Sequence, residues 1–454
     1  MKSNAICLIA GYARFTGAIT LFGLGQVVWA GIAIQHWTQP SGAQVYLVES
    51  HSIPMVDLRI DIDAGSRHDP PALVGLASVM AASLSDGVRA SGKEPALDEH
   101  QLAEAWADLG AAFSAGASAD RLSFSLRSLT EPDLLAGAVA LAARQLAEPA
   151  FPAALWQRDR PKWIASLREA RTRPGVLAQR AYDAAVYGNH PYGREMTEAS
   201  LRRLQVRDMA ALHAQVVRPC YARVTVVGAL DRAQADALVG KLLGRLRTHD
   251  CPARPTVPEV APLAAARDIV VPFASAQTQI LLGQPGYRRT DPDHLALMVG
   301  NYILGGGGFA SRLTDAVREK RGLTYGVDSH FAPGLHAGAF TIGLQTRPDQ
   351  ADAALRLVRE LLAQFVQEGP TEAELQAAKD HLVGSFPLQL DGNLKLLDAV
   401  ASIAWYDWPL DHLDTWSERV QRITSDDIRR AFQRVLQPDR MVSVVLGPGG
   451  TKKD

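Results

Sequence analysis

The sequence predicts an α+β protein made of two homologous halves, each a mostly antiparallel sheet covered by helices on one face. Three observations carry this. The segments RRLQVRDMAALHAQVVRPCYARVTVVG (202–228) and QRITSDDIRRAFQRVLQPDRMVSVVLG (421–447) superpose without a gap at an offset of 219, which lays Arg203, Asp208, Pro219 and Gly228 on Arg422, Asp427, Pro438 and Gly447. The same offset lays GLASVMAASLSDG (75–87) on HLALMVGNYILGG (294–306). An offset that holds between such distant segments marks a duplicated unit of about two hundred residues, within the usual size of a domain. Third, strand-like segments precede helix-like ones in each half, with hairpin-like connections, which is the order of an antiparallel sheet carrying helices.

Taken from the start, residues 1–30 read as an export signal. Lys2 and Arg14 are the only charges before His36, an apolar run follows Arg14, and Val28-Trp29-Ala30 fits a small-residue cleavage site. The alternative is an uncleaved anchor over Thr16–Ile34, 19 uncharged residues. The first half then runs over 37–247. AQVYLVES and MVDLRIDIDAG read as strands, a helix follows, AAFSAGASADRLSFSLRSL reads as two further strands, and three or four amphipathic helices lead to a closing strand in ARVTVVG. A proline-rich linker, 248–266, separates it from the second half, 267–448. That half repeats the plan: RDIVVP and QTQILLGQPG, a helix, two strands within LTYGVDSHFAPGLHAGAFTIGLQT, helices, and a closing strand in MVSVVLG.

Composition limits the function. At 454 residues the chain needs more than one packing unit, and 47% hydrophobic with 21% charged residues is globular. A formal net charge of -1, with intermixed signs, excludes the basic stripe of a nucleic-acid binder. Cys7 lies in the signal, leaving Cys220 and Cys251. Neither spacing nor context demands that they pair, so two free thiols are the expectation and a disulfide the alternative.

Several motif matches fail on context. GVRASGKE (87–94) has Glu94 where a phosphate loop needs Ser or Thr, and it reads as a polar loop. GGGGFA (305–310) follows a helical segment instead of a strand, so it reads as a flexible connection and not a dinucleotide loop. No two of the twelve histidines are four apart, so no helix offers two imidazoles to one zinc. His100 and Glu104, one turn apart, read as an exposed polar face.

FASRLTDAVREKRGLTYGV (309–327) is different. A helix is expected from Ser311 and Arg312, with Leu313, Ala316 and Val317 on its buried face, ended by Gly322 and followed by a strand starting in LTYGV. This places Arg318 and Tyr325 at a junction where a cation and a phenol can hold a substrate oxyanion. Arg321 is an alternative cation.

DAGSRHDPPALVGLASVMAASLSDG (63–87), YGNHPYGREMTEASLRRL (187–204), VVRPCYARVTVVGALD (216–231) and LGGGGFASRLTDAVREKRGLTYGVDS (304–329) together resemble the pitrilysin/insulinase family of zinc peptidases, closest to chains related to mitochondrial processing peptidase. The resemblance covers about 37–448 and implies half of a clamshell. It also implies an H-x-x-E-H zinc motif after GL, but Ser78, Ala81 and Ala82 stand where the two histidines and the glutamate belong. Glu169 is a poor substitute for the third ligand. The R-x6-Y pair of the family's second half is matched by Arg318 and Tyr325. The resemblance therefore implies a zinc-free subunit, inactive alone and without cofactor, that lends Arg318 and Tyr325 to the zinc site of a homologous partner for peptide cleavage. The expected location is periplasmic or secreted, with no stable membrane contact once the signal is removed. The alternative is an inert structural or peptide-binding homologue.

Overall fold

A computed structural model describes residues 31–248 and 251–448; the expected export signal lies outside them. The first half orders β1 (Gln35–Thr38), β2 (Gln44–Glu49) and β3 (Met55–Ile62), then α1 (Leu76–Ala82). A small hairpin, β4 (Gly87–Val88) and β5 (Leu97–Asp98), leads to α2 (Glu99–Asp108), and β6 (Ala112–Ala117) and β7 (Leu122–Leu129) follow. Helices α3 (Pro132–Ala147), α4 (Ala153–Ala170), α5 (Pro174–Tyr187), α6 (Glu198–Arg203) and α7 (Val206–Val216) precede β8 (Arg223–Gly228) and α8 (Arg232–Leu243). The second half has β9 (Arg267–Pro272), β10 (Thr278–Pro285), α9 (His294–Asn301), β11 (Val327–Phe331) and β12 (Ala339–Thr346). It ends in α10 (Ala351–Glu368), α11 (Glu372–Ser385), α12 (Asn393–Tyr406), α13 (His412–Arg422), α14 (Ser425–Val435) and β13 (Val442–Gly447).

The two sheets share one topology. Their orders are β1-β2-β8-β3-β7-β6 and β11-β12-β10-β13-β9. Read in the same direction the second is the first without β1, a four-residue strand too short to register as a periodic pattern in the sequence. Both are mostly antiparallel, and in each the closing strand runs parallel to the first strand of the duplicated unit, β8 beside β2 and β13 beside β9. Valine-rich runs suit these strands because they are buried on both faces.

One face of each sheet carries helices of its own half over a core that includes Leu58, Ile60 and Phe124 in the first and Ile280, Phe340 and Phe432 in the second. The other face receives a helix from the opposite half. Ala178, Tyr182 and Val186 of α5, spaced i, i+4, i+8, pack on Val442, Val444 and Leu446 of β13. Leu397, Val400 and Ala404 of α12 pack on Tyr46, Val48 and Val227 of the first sheet. Ion pairs pin α12 there, with Arg59 2.6 Å from Asp398 and Arg223 3.1 Å from Asp407. The exchange ties the halves together, and from Ile32 onward they form one compact unit. Among the described residues no helix is long and apolar enough to cross a membrane.

Three local readings are corrected. Cys220 and Cys251 form a disulfide, with Cα atoms 6.5 Å apart; the expected free thiols are paired because the chain after α8 returns to the edge of the turn before β8. The strand expected from LTYGV begins only at Val327, because Thr324 turns its hydroxyl into the sheet edge. GGGGFA is ordered as the end of a π-helical turn, Tyr302–Gly306, and a 3-10 turn, Gly308–Ala310. GVRASGKE begins in β4, Gly87–Val88, and continues as the expected loop toward β5.

The disulfide closes a loop spanning 31 residues. Reduction, or Cys251→Ser, is expected to lower stability by about 3–4 kcal/mol on loop entropy. Denaturant titration with and without reductant measures it, and unchanged midpoints would contradict the prediction.

Candidate functional site

The second-half site is built from a tightly specified connection between α9 and β11. At Gly305 the backbone runs so close to β11 that an added Cβ would lie 2.4 Å from Ser329 Oγ and 2.6 Å from its backbone nitrogen, so only glycine fits. Ser311 Oγ then donates to the Gly308 carbonyl at 2.7 Å, and Arg312 grips both carboxylate oxygens of Glu374 at 2.5 and 2.6 Å. Burial alone would raise the Glu374 carboxyl; the Arg312 fork and Thr371 outweigh it and hold it at about 2.

Leu313, Ala316 and Val317 are buried, as their spacing predicts. The chain from Thr314 to Glu319 is wound as a π-helix, its Lys320 N–H donating to the Asp315 carbonyl five residues back at 2.9 Å. Gly322 ends it at φ +59°. Thr324 is then drawn inward: its Oγ1 lies 2.7 Å and 2.6 Å from the carbonyl oxygens of Gly326 and Gln345, its one proton serving one of them, and it accepts from the Gly326 N–H at 3.1 Å. With Thr324 only 7% exposed, its neighbour Tyr325 faces out and is 87% exposed.

Arg318 stands beside it. Its guanidinium covers the ring of Phe309 at 4.8 Å, and its Nε is 3.3 Å from Glu319 Oε1. Arg318 and Tyr325 line one open cavity of about 400 Å³ with Gln277, Gln345 and Arg347. A second cavity, about 650 Å³, shares Tyr325, Gln277 and Gln345 and extends to Gln179 of α5. Tyr325 therefore stands between two grooves rich in amide side chains. Arg321 is exposed, lies 3.4 Å from the Ala316 carbonyl and does not line the cavity it would need to share with Tyr325. Phe309 and the glutamines were not singled out from the sequence; the large apolar residue directly after a run of four glycines was the available signal.

In the first half the helix that would carry metal ligands is α1. Its start is set by Asp69, whose carboxylate accepts from the Gly75 and Ala77 N–H groups at 2.8 and 3.1 Å; burial pushes this carboxyl up to about 6 against those donors. Along α1, Ser78 is half-buried, Ala81 buried and Ala82 exposed, and Glu169 is exposed near the end of α4. A hydroxyl and two methyl groups cannot hold zinc or activate water. Among the described residues no group of three or more His, Cys, Asp or Glu is placed to hold a metal ion. The residues present do not fit zinc.

A duplicated sheet-and-helix unit whose α1 carries no imidazole, joined to a second half that presents Arg318 and Tyr325 on an open cavity, defines a peptidase-like fold. The chain belongs to peptidase family M16: residues 44–200 match Insulinase (Peptidase family M16) and residues 203–382 match the Peptidase M16 inactive domain. The crystal structure of a peptidase M16 inactive domain from Pseudomonas fluorescens is 34% identical, with a TM-score of 0.86 over 93% of this chain and 100% of that one. An uncharacterized zinc protease of Streptomyces coelicolor is 25% identical over 91% of this chain and 90% of its own length. A non-peptidase homolog, YmxG of Helicobacter pylori, is 24% identical over 84% of this chain and 86% of its own. The periplasmic protease PqqL from Escherichia coli has a TM-score of 0.78 at 18% identity, covering 97% of this chain but 49% of PqqL.

Proposed function

We propose that this chain is the zinc-free subunit of an exported, heterodimeric M16 peptidase, lending Arg318 and Tyr325 to a homologous zinc-bearing partner. The observation that carries the reading is the contrast between the halves: α1 has lost every group that could bind metal, while Arg318 and Tyr325 remain together on an open cavity. A structural remnant would have no reason to hold a tyrosine 87% exposed through the inward hydrogen bonds of its neighbour. PqqL's length, twice that covered by this chain, supports a two-unit assembly, and its periplasmic description supports export.

In this role the Tyr325 hydroxyl donates to the oxygen that becomes negative as a peptide carbonyl is attacked, and Arg318 orients the substrate by its fork of donors. The flanking glutamines supply donors and acceptors suited to an extended peptide backbone. The general base and the metal belong to the partner.

The isolated chain is expected to hold no stoichiometric zinc and to show no chelator-sensitive peptidase activity. Metal analysis giving one tightly held zinc per chain would refute this. Installing Ser78→His, Ala81→Glu and Ala82→His is expected not to create activity, because the third ligand and the groups that orient the imidazoles are missing too. Gel filtration with the zinc-bearing homologue from the same source tests the assembly. The relative described as a non-peptidase homolog favours a second reading, an inert peptide-binding protein; it predicts binding without any partner-dependent turnover.

A further inference from the structure

Between the β10–α9 loop and the start of α13 lies a cavity of about 360 Å³, lined by Arg289, His294, Trp408, His412 and Arg419 with apolar walls from Pro292, Leu295 and Pro409. It is separate from the grooves around Tyr325. Two of its polar groups, the guanidinium groups of Arg289 and Arg419, can only donate. The Nε of Arg289 is buried and has no hydrogen-bond partner among the described residues, and its guanidinium lies 5.7 Å over the Trp408 ring. Arg419 is exposed and makes no ion pair among the described residues; its NH1 reaches His412 Nδ1 at 3.3 Å. A guanidinium can only donate, so the His412 ring accepts at Nδ1 and, when neutral, carries its proton on Nε2. His294 Nδ1 pairs with the Tyr287 hydroxyl at 3.0 Å. The one carboxylate of the lining, Asp291, is already engaged by Arg434 at 2.5 Å.

The first half places its loop arginine differently. In its β3–α1 loop the buried Arg67 pairs with Asp63 and, at 3.0 Å, with Asp120. In the β10–α9 loop of the second half, Arg289 has no carboxylate partner among the described residues. The unpartnered Nε of Arg289 and the exposed guanidinium of Arg419, beside a flat aromatic wall in which Trp408 stacks on His412 at 4.4 Å, complement an anion and leave room for a small organic body. Burial, with the neighbouring arginines, pushes the His294 and His412 imidazoles down to about 3 and 4, consistent with a site whose positive charge comes from arginine alone.

We propose that this cavity binds a small organic carboxylate with a flat or apolar body, its carboxylate between Arg289 and Arg419 and its body against Trp408. The carboxylate has two possible sources, a free acid or the C-terminal residue of a peptide, and the chemistry recognised is the same.

Calorimetric titration of the purified chain with benzoate, benzamide and inorganic phosphate tests this. Benzoate is expected to bind saturably at one site, at least about tenfold tighter than benzamide, its neutral isostere, and than phosphate. Arg289→Gln and Arg419→Gln, each checked for an unchanged melting profile, are expected to weaken benzoate at least about tenfold. A peptide ending in a free phenylalanine carboxylate that displaces benzoate, where its C-terminal amide does not, identifies a peptide end as the source; failure of both to compete identifies a free acid. The proposal is overturned if benzoate does not bind, if benzamide or phosphate binds equally well, or if neither folded variant weakens it.

Discussion

Tyr325→Phe is expected to lower kcat by about 10²–10³ in the reconstituted heterodimer while leaving KM nearly unchanged. The substitution removes one hydroxyl aimed at an oxyanion that exists only in the transition state, so ground-state binding is spared. It leaves the fold alone, since the ring is exposed and the loop is held by Thr324, whose hydroxyl contacts are untouched. Arg318→Ala is expected to lower kcat/KM through poorer substrate positioning, again without loss of assembly or of the partner's zinc. Steady-state kinetics beside gel filtration separate the alternatives. Normal turnover with a broken dimer would make the pair structural and move the protein to the inert reading.

On stability, the largest single loss is expected from Tyr182→Ala, at about 3–5 kcal/mol. Tyr182 is 0% exposed at the centre of the exchanged helix α5, and its hydroxyl donates to the Phe340 carbonyl at 2.5 Å while accepting from Thr341 Oγ1 at 3.1 Å. The alanine leaves a cavity against β10 and β12 and strands the Thr341 hydroxyl. Tyr182→Phe keeps the ring and is expected to cost about 1 kcal/mol. Denaturant titration of both variants measures the difference. A loss below about 1 kcal/mol for the alanine would mean that α5 does little to hold the second sheet.

Much of this fold was legible because the duplication left a rigid register. The offset read from two segment pairs also governs helices whose sequences do not visibly match: α3 and α10 start at 132 and 351, α4 and α11 at 153 and 372, α5 and α12 at 174 and 393, all 219 apart. The exchange of α5 and α12 was not legible. Periodicity shows that Ala178, Tyr182 and Val186 share a buried face, but not which sheet buries it. The disulfide escaped for the same reason, since the approach of Cys220 and Cys251 depends on where α8 returns the chain. At the candidate site, Arg318 and Tyr325 were legible as a spaced pair, and the loss of metal ligands as a substitution of residue types. The platform of Phe309 beneath Arg318 and the inward turn of Thr324 depend on π-helical winding, which local propensity does not signal.

The account is tested most directly by the rate of peptide hydrolysis by the zinc-bearing homologue, measured as this chain is added. The expected result is chelator-sensitive hydrolysis that is negligible for either chain alone and rises to saturation at one equivalent. A partner that is fully active alone and unchanged by this chain at any ratio would contradict it.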